Sequence, residues 1–181
     1  MQNSDFESIG KRLFNEGLVG GNFGNMSIRR EDGIYITRSG SYLDEPGDLK
    51  FVSMDGVPEK GASSEWRVHY ETYKLTDTNA IVHAHPAYSV AASFYYSEII
   101  PEDSEGKMLC PAIPVVTGEP GTDILAQNVS KALAKAPVVI AKGHGTFTTG
   151  KDLKEAYLLT SIAEHACKII YLIGGFGGLS P

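Results

Sequence analysis

The sequence predicts an α/β protein with a largely antiparallel central sheet and helices on both faces, a three-layer sandwich. Three observations point there. Hairpin signals dominate the strand order, with Asp32-Gly33 and Asp55-Gly56 each closing a short β-branched or aromatic run. Amphipathic stretches with capping signals alternate with those runs. No regular βαβ repetition, internal repeat or Pro/Gly/Ser-rich linker divides the 181 residues, which read as a single unit, residues 1–181.

The elements follow in order. Ser4 and Glu7 form a capping-box pattern, and Phe6, Ile9, Leu13 and Phe14 recur at helical spacing, so the chain opens on a helix ending near Gly17. GLVGGNFGNMSIRR passes from a glycine-rich loop into a strand, and GIYIT returns as its hairpin partner. LKFVSMDG is a further strand. GASSE opens a helix carrying Trp66, Tyr70 and Tyr73 on one stripe, with Ser63 or Ser64 as the N-cap. AIVHAH is a short apolar strand, and Pro86 suits the first position of the helix AYSVAASFYY. The prolines of PAIPVV mark an edge strand, and Thr122-Asp123 caps a helix running to about Ala136. PVVIAKGHGTFTTG supplies two strands around a glycine-flanked histidine. The last helix starts at Asp152, with Glu155 three residues on, and runs with one strongly apolar face into the tail IGGFGGLSP.

Composition narrows the function classes. A net charge of -6 and a pI near 5.3 leave no basic footprint for nucleic acid or an anionic membrane, while a small anionic substrate can still meet a local positive site. The N-terminal MQNSDFESIG has no signal-peptide pattern, and no stretch approaches the roughly 18 uninterrupted apolar residues of a membrane span, so a cytoplasmic protein is expected. Cys110 and Cys167 lack metal-type spacing and read as buried apolar residues.

The histidines carry the chemistry. Alternate residues of a strand share a face, so His83 and His85 converge on one ion while Ala84 faces away. The third ligand has to come from elsewhere, and His144 sits between two glycines that permit close backbone approach. Three neutral imidazoles suit zinc and leave a position open for water or substrate. Without His144, the HxH pair would read as two core histidines. His69 and His165 lie inside helices without ligand spacing, which suits structural or surface roles, although His69 falls one turn after Glu65. Glu65 itself stands at a helix start, where a carboxylate is stabilised by free N–H groups. Beside a Lewis-acid metal, it acquires a use as the base that takes a proton next to a carbonyl. Three segments could bind phosphate through backbone N–H groups and small polar side chains: Gly24-Asn25, Ser39-Gly40 and Ser63-Ser64.

In their order GNMS, ITRSG, SSEW, HAH and GHG, these motifs resemble the class II aldolase/adducin family over most of the chain. The resemblance implies zinc, one per subunit, on His83, His85 and His144. It makes Glu65 the catalytic acid/base, able to approach the metal in the empty site, and places substrate phosphate on Asn25, Ser39, Gly40, Ser63 and Ser64. It implies reversible cleavage of a ketose 1-phosphate of the L-fuculose type to dihydroxyacetone phosphate and lactaldehyde. A homotetramer with sites between subunits is the implied assembly. Two features depart from the family's aldolase. A tyrosine that it takes from a neighbouring subunit has no counterpart in IIPEDSEGKML, which offers Ser104 or Glu105, and no tyrosine follows Tyr171. The aldehyde preference therefore does not carry over. Ribulose-phosphate 4-epimerases and ketose-phosphate dehydratases share the scaffold, but epimerase-like members carry aspartate at the Glu65 position. An adducin-like binding module would not need all three histidines and Glu65.

Overall fold

The computed structural model describes residues 3–177. Eight strands form one sheet in the order β3-β2-β1-β4-β8-β7-β6-β5, and every neighbouring pair except β6–β7 is antiparallel. The strands are β1 (Asn25–Arg30), β2 (Gly33–Ile36), β3 (Lys50–Ser53), β4 (Ala80–Ala84), β5 (Glu98–Ile99), β6 (Ile113–Val116), β7 (Val138–Ala141) and β8 (Gly145–Gly150). The helices are α1 (Asn3–Asn15), α2 (Trp66–Leu75), α3 (Ala87–Ala92), α4 (Ser104–Leu109), α5 (Asp123–Leu133) and α6 (Leu153–Gly177).

Strand alternation sorts the core into two layers. On one face Ala80, Val82 and Ala84 of β4 pack with Phe6, Ile9 and Leu13 of α1 and with Leu153 and Ala156 of α6. Val138 and Ile140 of β7 meet Leu159, Ile162 and Ala163 further along α6. On the other face Ile81 lies with Ile34, Ile36, Val52 and Tyr73 beneath α2, while Val139, Ala141 and Phe147 lie beneath α5. Trp66 and Tyr70 pack against the same α2 cluster, as their stripe predicts. His83 therefore projects toward the α2/α5 layer, and stacks on Phe147 with ring centroids 4.0 Å apart.

Several boundaries differ from expectation. Ser4 lies within the first turn of α1, not ahead of it. The β1–β2 turn is Glu31-Asp32, because Gly33 already pairs with Arg30. Pro86 is the N-cap of α3, not its first residue, and α3 ends at Ala92. β6 is not an edge strand: the two-residue β5 lies outside it, and Pro114 pairs with Glu98 there. Neither Ser63 nor Ser64 is the N-cap of α2; Glu65 is, and its side chain makes no capping bond. At the last helix Asp152 Oδ1 accepts from Glu155 N–H at 2.9 Å as expected, while Glu155 Oε2 accepts from Lys151 N–H at 2.6 Å, one residue before the N–H that a capping box uses. Helix α6 then runs through the first glycines of the tail, and Gly178–Pro181 lie outside the described residues. By length and composition, Leu153–Gly174 would suffice to cross a membrane, but its apolar stripe packs on the sheet and Glu164 is committed to α3. Cys110 and Cys167 are buried free thiols in one core cluster.

Candidate active site

One end of the central strands β1, β4 and β8 gathers the three histidines and Asn25. His83 is the penultimate residue of β4, and His85 follows just past its end, where its N–H donates to Leu18 O at 2.9 Å. His144 occupies the turn between β7 and β8, with its N–H on Ala141 O at 3.0 Å. The flanking glycines are required by space. Gly143 takes φ +68°, and a Cβ on Gly145 would stand 2.2 Å from Ala84 O and 3.1 Å from His83 Cε1. On the other side, Gly24 passes so near β4 that a Cβ would lie 2.5 Å from His83 O.

The three imidazoles face one another. His83 Nε2 is 3.0 Å from His85 Nε2 and 3.2 Å from His144 Nε2, and the three ligand atoms all lie within 4.8 Å. Tetrahedral zinc with bonds of about 2.0–2.1 Å spaces its ligand nitrogens by about 3.3 Å, so the donor set fits such an ion. The tautomer fits too. Thr146 O can only accept, so His83 Nδ1 at 2.8 Å is the donor and Nε2 presents a lone pair to the centre. Burial and the neighbouring imidazoles hold His83 well below the usual histidine range, and burial brings His85 to about 4 and lowers His144. All three are neutral near pH 7, as ligation requires. Phe23 stacks on His85 at 5.4 Å and fixes its outer face.

Glu65 is buried at the start of α2, 4% exposed. Its Oε1 accepts from Gly121 N–H at 2.9 Å, and Oε2 is buried without a partner. Desolvation raises its pKa, opposed by the Gly121 hydrogen bond and the Arg67 charge. A carboxyl so placed holds a proton more readily than one exposed to water.

The three candidate anion segments also meet. Thr37 N–H donates to Met26 O at 2.9 Å and Met26 N–H to Thr37 Oγ1 at 3.2 Å, which ties the Asn25 end of β1 to the loop containing Ser39 and Gly40. Ser39 N–H donates to Gly61 O at 2.9 Å and Ser63 N–H to Thr37 O at 3.2 Å, joining that loop to the Ser63-Ser64 segment. These two amides are thus committed to carbonyls, and an anion would meet the serine hydroxyls and the remaining backbone N–H groups of these segments instead. Gly40 adopts φ +72°, and Asn25 Oδ1 is buried without a partner. His69 and His165 stay apart from the cluster. His69 is fully buried, with Nδ1 2.6 Å from Ser27 Oγ.

Sequence reasoning overlooked Thr37, Gly121, Thr146 and Glu164. Glu164 of α6 accepts from Tyr88 N–H at 2.9 Å, Ser89 N–H at 2.8 Å and Ser89 O–H at 2.9 Å, capping α3 where Pro86 cannot. Only its place opposite the α3 start, remote in sequence, reveals it.

A mainly antiparallel α/β sandwich with three converging histidines at one end of its central strands is the arrangement of a class II aldolase-type lyase. Residues 5–171 match the family model described as Class II Aldolase and Adducin N-terminal domain. The chain belongs to this family, whose aldolases are metal-dependent, and His83, His85 and His144 form a group able to bind the metal. It is 35% identical to the L-fuculose phosphate aldolase of Methanococcus maripaludis (strain C7 / ATCC BAA-1331), over 93% of this chain and 96% of the relative. It is 31% identical to the 5-methylthioribulose-1-phosphate/5-deoxyribulose-1-phosphate aldolase of Escherichia coli O45:K1 (strain S88 / ExPEC), over 88% and 78%. The crystal structure of L-fuculose-1-phosphate aldolase from Thermus thermophilus superposes with a TM-score of 0.95 at 34% identity, over 98% of this chain and 96% of that one.

Proposed function

We propose that this chain is a zinc-dependent aldolase, a single catalytic domain that reversibly cleaves L-fuculose 1-phosphate, or a similar ketose 1-phosphate, to dihydroxyacetone phosphate and an aldehyde. The observation that carries the reading is the convergence of three neutral imidazoles, and the buried Glu65 carboxyl with one unpartnered oxygen supports it as the candidate acid/base. Zinc held by His83, His85 and His144 would supply Lewis-acid polarisation of the substrate carbonyl. The remaining steps belong to the chain. Asn25, Ser39, Gly40, Ser63 and Ser64 hold the phosphate and so set the distance from the anchored end to the reacting carbons. Loss of the C4 hydroxyl proton breaks the C3–C4 bond, leaving its electron pair on C3. Glu65 delivers a proton to that carbon, and in the reverse direction removes it. Burial keeps bulk water from competing for this proton.

The enzyme acts as a cytoplasmic homotetramer with sites between subunits, an assembly taken from the family resemblance. Glutamate at position 65 supports lyase chemistry over epimerisation. The test is to incubate the metal-loaded protein with L-fuculose 1-phosphate and with ribulose 5-phosphate and identify the products. Release of dihydroxyacetone phosphate from the first is expected. Epimerisation of the second without cleavage of the first would replace this reading with the epimerase one.

A further inference from the structure

Helix α2 carries a second titratable side chain that the mechanism above leaves unused. His69 follows Glu65 by one turn, and its N–H donates to Glu65 O at 3.4 Å, so the two side chains are neighbours on one face of the helix. Each holds one buried atom without a partner, Oε2 on Glu65 and Nε2 on His69. The oxygen is an acceptor. Whether the nitrogen is a donor is decided by the bonds on the other side of the ring.

His69 Nδ1 lies 2.6 Å from Ser27 Oγ, which lies 2.8 Å from the Tyr73 phenol oxygen. Burial pushes the phenol above its usual range, so it keeps its proton. Ser27 has one hydrogen for two neighbours. Were it given to Tyr73, the buried phenol hydrogen would have no acceptor among the described residues. Every hydrogen is used only when Tyr73 donates to Ser27 and Ser27 donates to Nδ1. The imidazole is neutral, since burial brings its pKa to about 3, and its own hydrogen therefore sits on Nε2.

That N–H stands at the edge of the site. Asn25, His83 and Phe147 form one row across β1, β4 and β8, and Ser27 shares the face of Asn25. The His69 ring is edge-on to Phe147, with centroids 6.4 Å apart, and lies near enough to His83 for its charge to depress that histidine's pKa. Gly121 fixes Oε1 of Glu65, but a carboxyl held at one oxygen still turns about that contact. A donor on Oε2 would fix its plane and leave the second lone pair of that oxygen to take or return the proton.

We infer that His69 is the positioning residue of Glu65: Tyr73 and Ser27 hold its ring with the hydrogen on Nε2, and with substrate bound that N–H donates to Glu65 Oε2. A rotation of the Glu65 side chain closes the pair. The inference rests on the aldolase reading above and adds a residue to its proton step.

The first test reads the ring itself, by nitrogen NMR of the zinc-loaded protein, labelled in histidine and saturated with dihydroxyacetone phosphate. His69 should carry its hydrogen on Nε2, and that N–H resonance should move in Glu65→Ala while zinc content stays at the wild-type value. A hydrogen on Nδ1, or a resonance unmoved in Glu65→Ala, overturns the inference. The second test separates positioning from core structure. His69→Asn keeps an acceptor for Ser27 but ends short of Nε2, whereas His69→Gln reaches the Nε2 position with an N–H and gives up Ser27. For solvent exchange of the dihydroxyacetone phosphate proton, kcat should fall roughly tenfold to a hundredfold in His69→Asn, the scale of one hydrogen bond to a charged group, and stay within about threefold of wild type in His69→Gln. KM and zinc content should be unchanged in both. Equal losses, or the larger loss in His69→Gln, would make His69 a core residue only and overturn the inference while wild-type exchange leaves the aldolase reading standing. Absence of exchange in the wild type removes the aldolase reading, and the inference with it.

Discussion

Gly121 N–H donates to Glu65 Oε1 at 2.9 Å, joining the start of α2 to the loop before α5, while Glu65 Oε2 stays buried without a partner. One oxygen is fixed and the other is left to act. A capping glutamate would instead turn its carboxylate onto the free N–H groups of its own helix, and Glu65 makes no such bond.

Glu65→Gln keeps the size of the side chain and can still accept from Gly121, but it cannot take up a proton. Metal content should be unchanged, because three imidazoles remain. Solvent exchange of the dihydroxyacetone phosphate proton should slow by roughly a hundredfold or more, the scale of losing a general base. Wild-type exchange would make Glu65 structural only.

The metal site depends on backbone clearance as much as on its ligands. Gly145→Ala would drive a methyl group into Ala84 O, 2.2 Å from the ideal Cβ position, and against His83 Cε1. A loss of about 1–3 kcal/mol of stability is expected from the overpacking, together with weaker zinc binding as His83 and His144 are pushed apart. His83→Ala should lose the metal outright, from about one zinc per chain in the wild type. Full metal content and full activity in His83→Ala would dismiss the site.

Phosphate should dominate substrate recognition through the Asn25, Ser39 and Ser63 cluster. L-fuculose without its phosphate is expected to be a poor substrate, and Ser39→Ala with Ser63→Ala should raise KM for the phosphorylated form by roughly tenfold or more, two hydrogen bonds to a charged group being lost. Equal kcat/KM for the sugar and its 1-phosphate would reject these loops as the anchor.

The sequence made some of this site legible because the signals were local. The strand period placed His83 and His85 together, and two glycines marked His144 as a point of close approach. Other features depended on partners far along the chain. Gly121 is 56 residues from Glu65, Thr146 is 63 from His83, and Glu164 is 75 from Ser89. The placement of β4 between β1 and β8 is equally nonlocal. Misread edges share one cause: Pro114 suggested an exposed strand, yet a two-residue strand covers β6, and a serine pair suggested a cap where the next residue takes the position.

Glu164 acts as a remote cap for the helix that follows His85. Glu164→Gln retains an acceptor but loses the charge and one acceptor oxygen, whereas Glu164→Ala removes the cap. Losses of about 0.5–2 kcal/mol are expected for alanine, with glutamine smaller. Because α3 begins two residues after His85, zinc affinity should fall in the same order. Identical zinc affinity in wild type and Glu164→Ala would confine the residue to stability alone.

His69 supplies a pH test of the core that needs no metal. Its ring is fully buried, with Nδ1 2.6 Å from Ser27 Oγ, which in turn lies 2.8 Å from Tyr73 O–H, and burial brings its pKa down to about 3. In the unfolded chain the same group titrates near 6.5. Above that value it is neutral in both states and contributes no slope. As pH falls from about 6.5 toward 3, the unfolded chain binds a proton that the folded one refuses, so stability declines by up to about 1.4 kcal/mol per pH unit. His83, His85 and His144 shift in the same direction, so the wild-type curve alone does not isolate His69. The difference between wild type and His69→Leu does. Measured by denaturant unfolding in chelator, the variant should be less stable at pH 7.5, where it loses the bond to Ser27. It should close that gap steadily by pH 4.5, because leucine carries no proton to refuse. A gap constant across this range would mean that His69 titrates alike in the folded and unfolded chain, and that its burial does not exclude the charge.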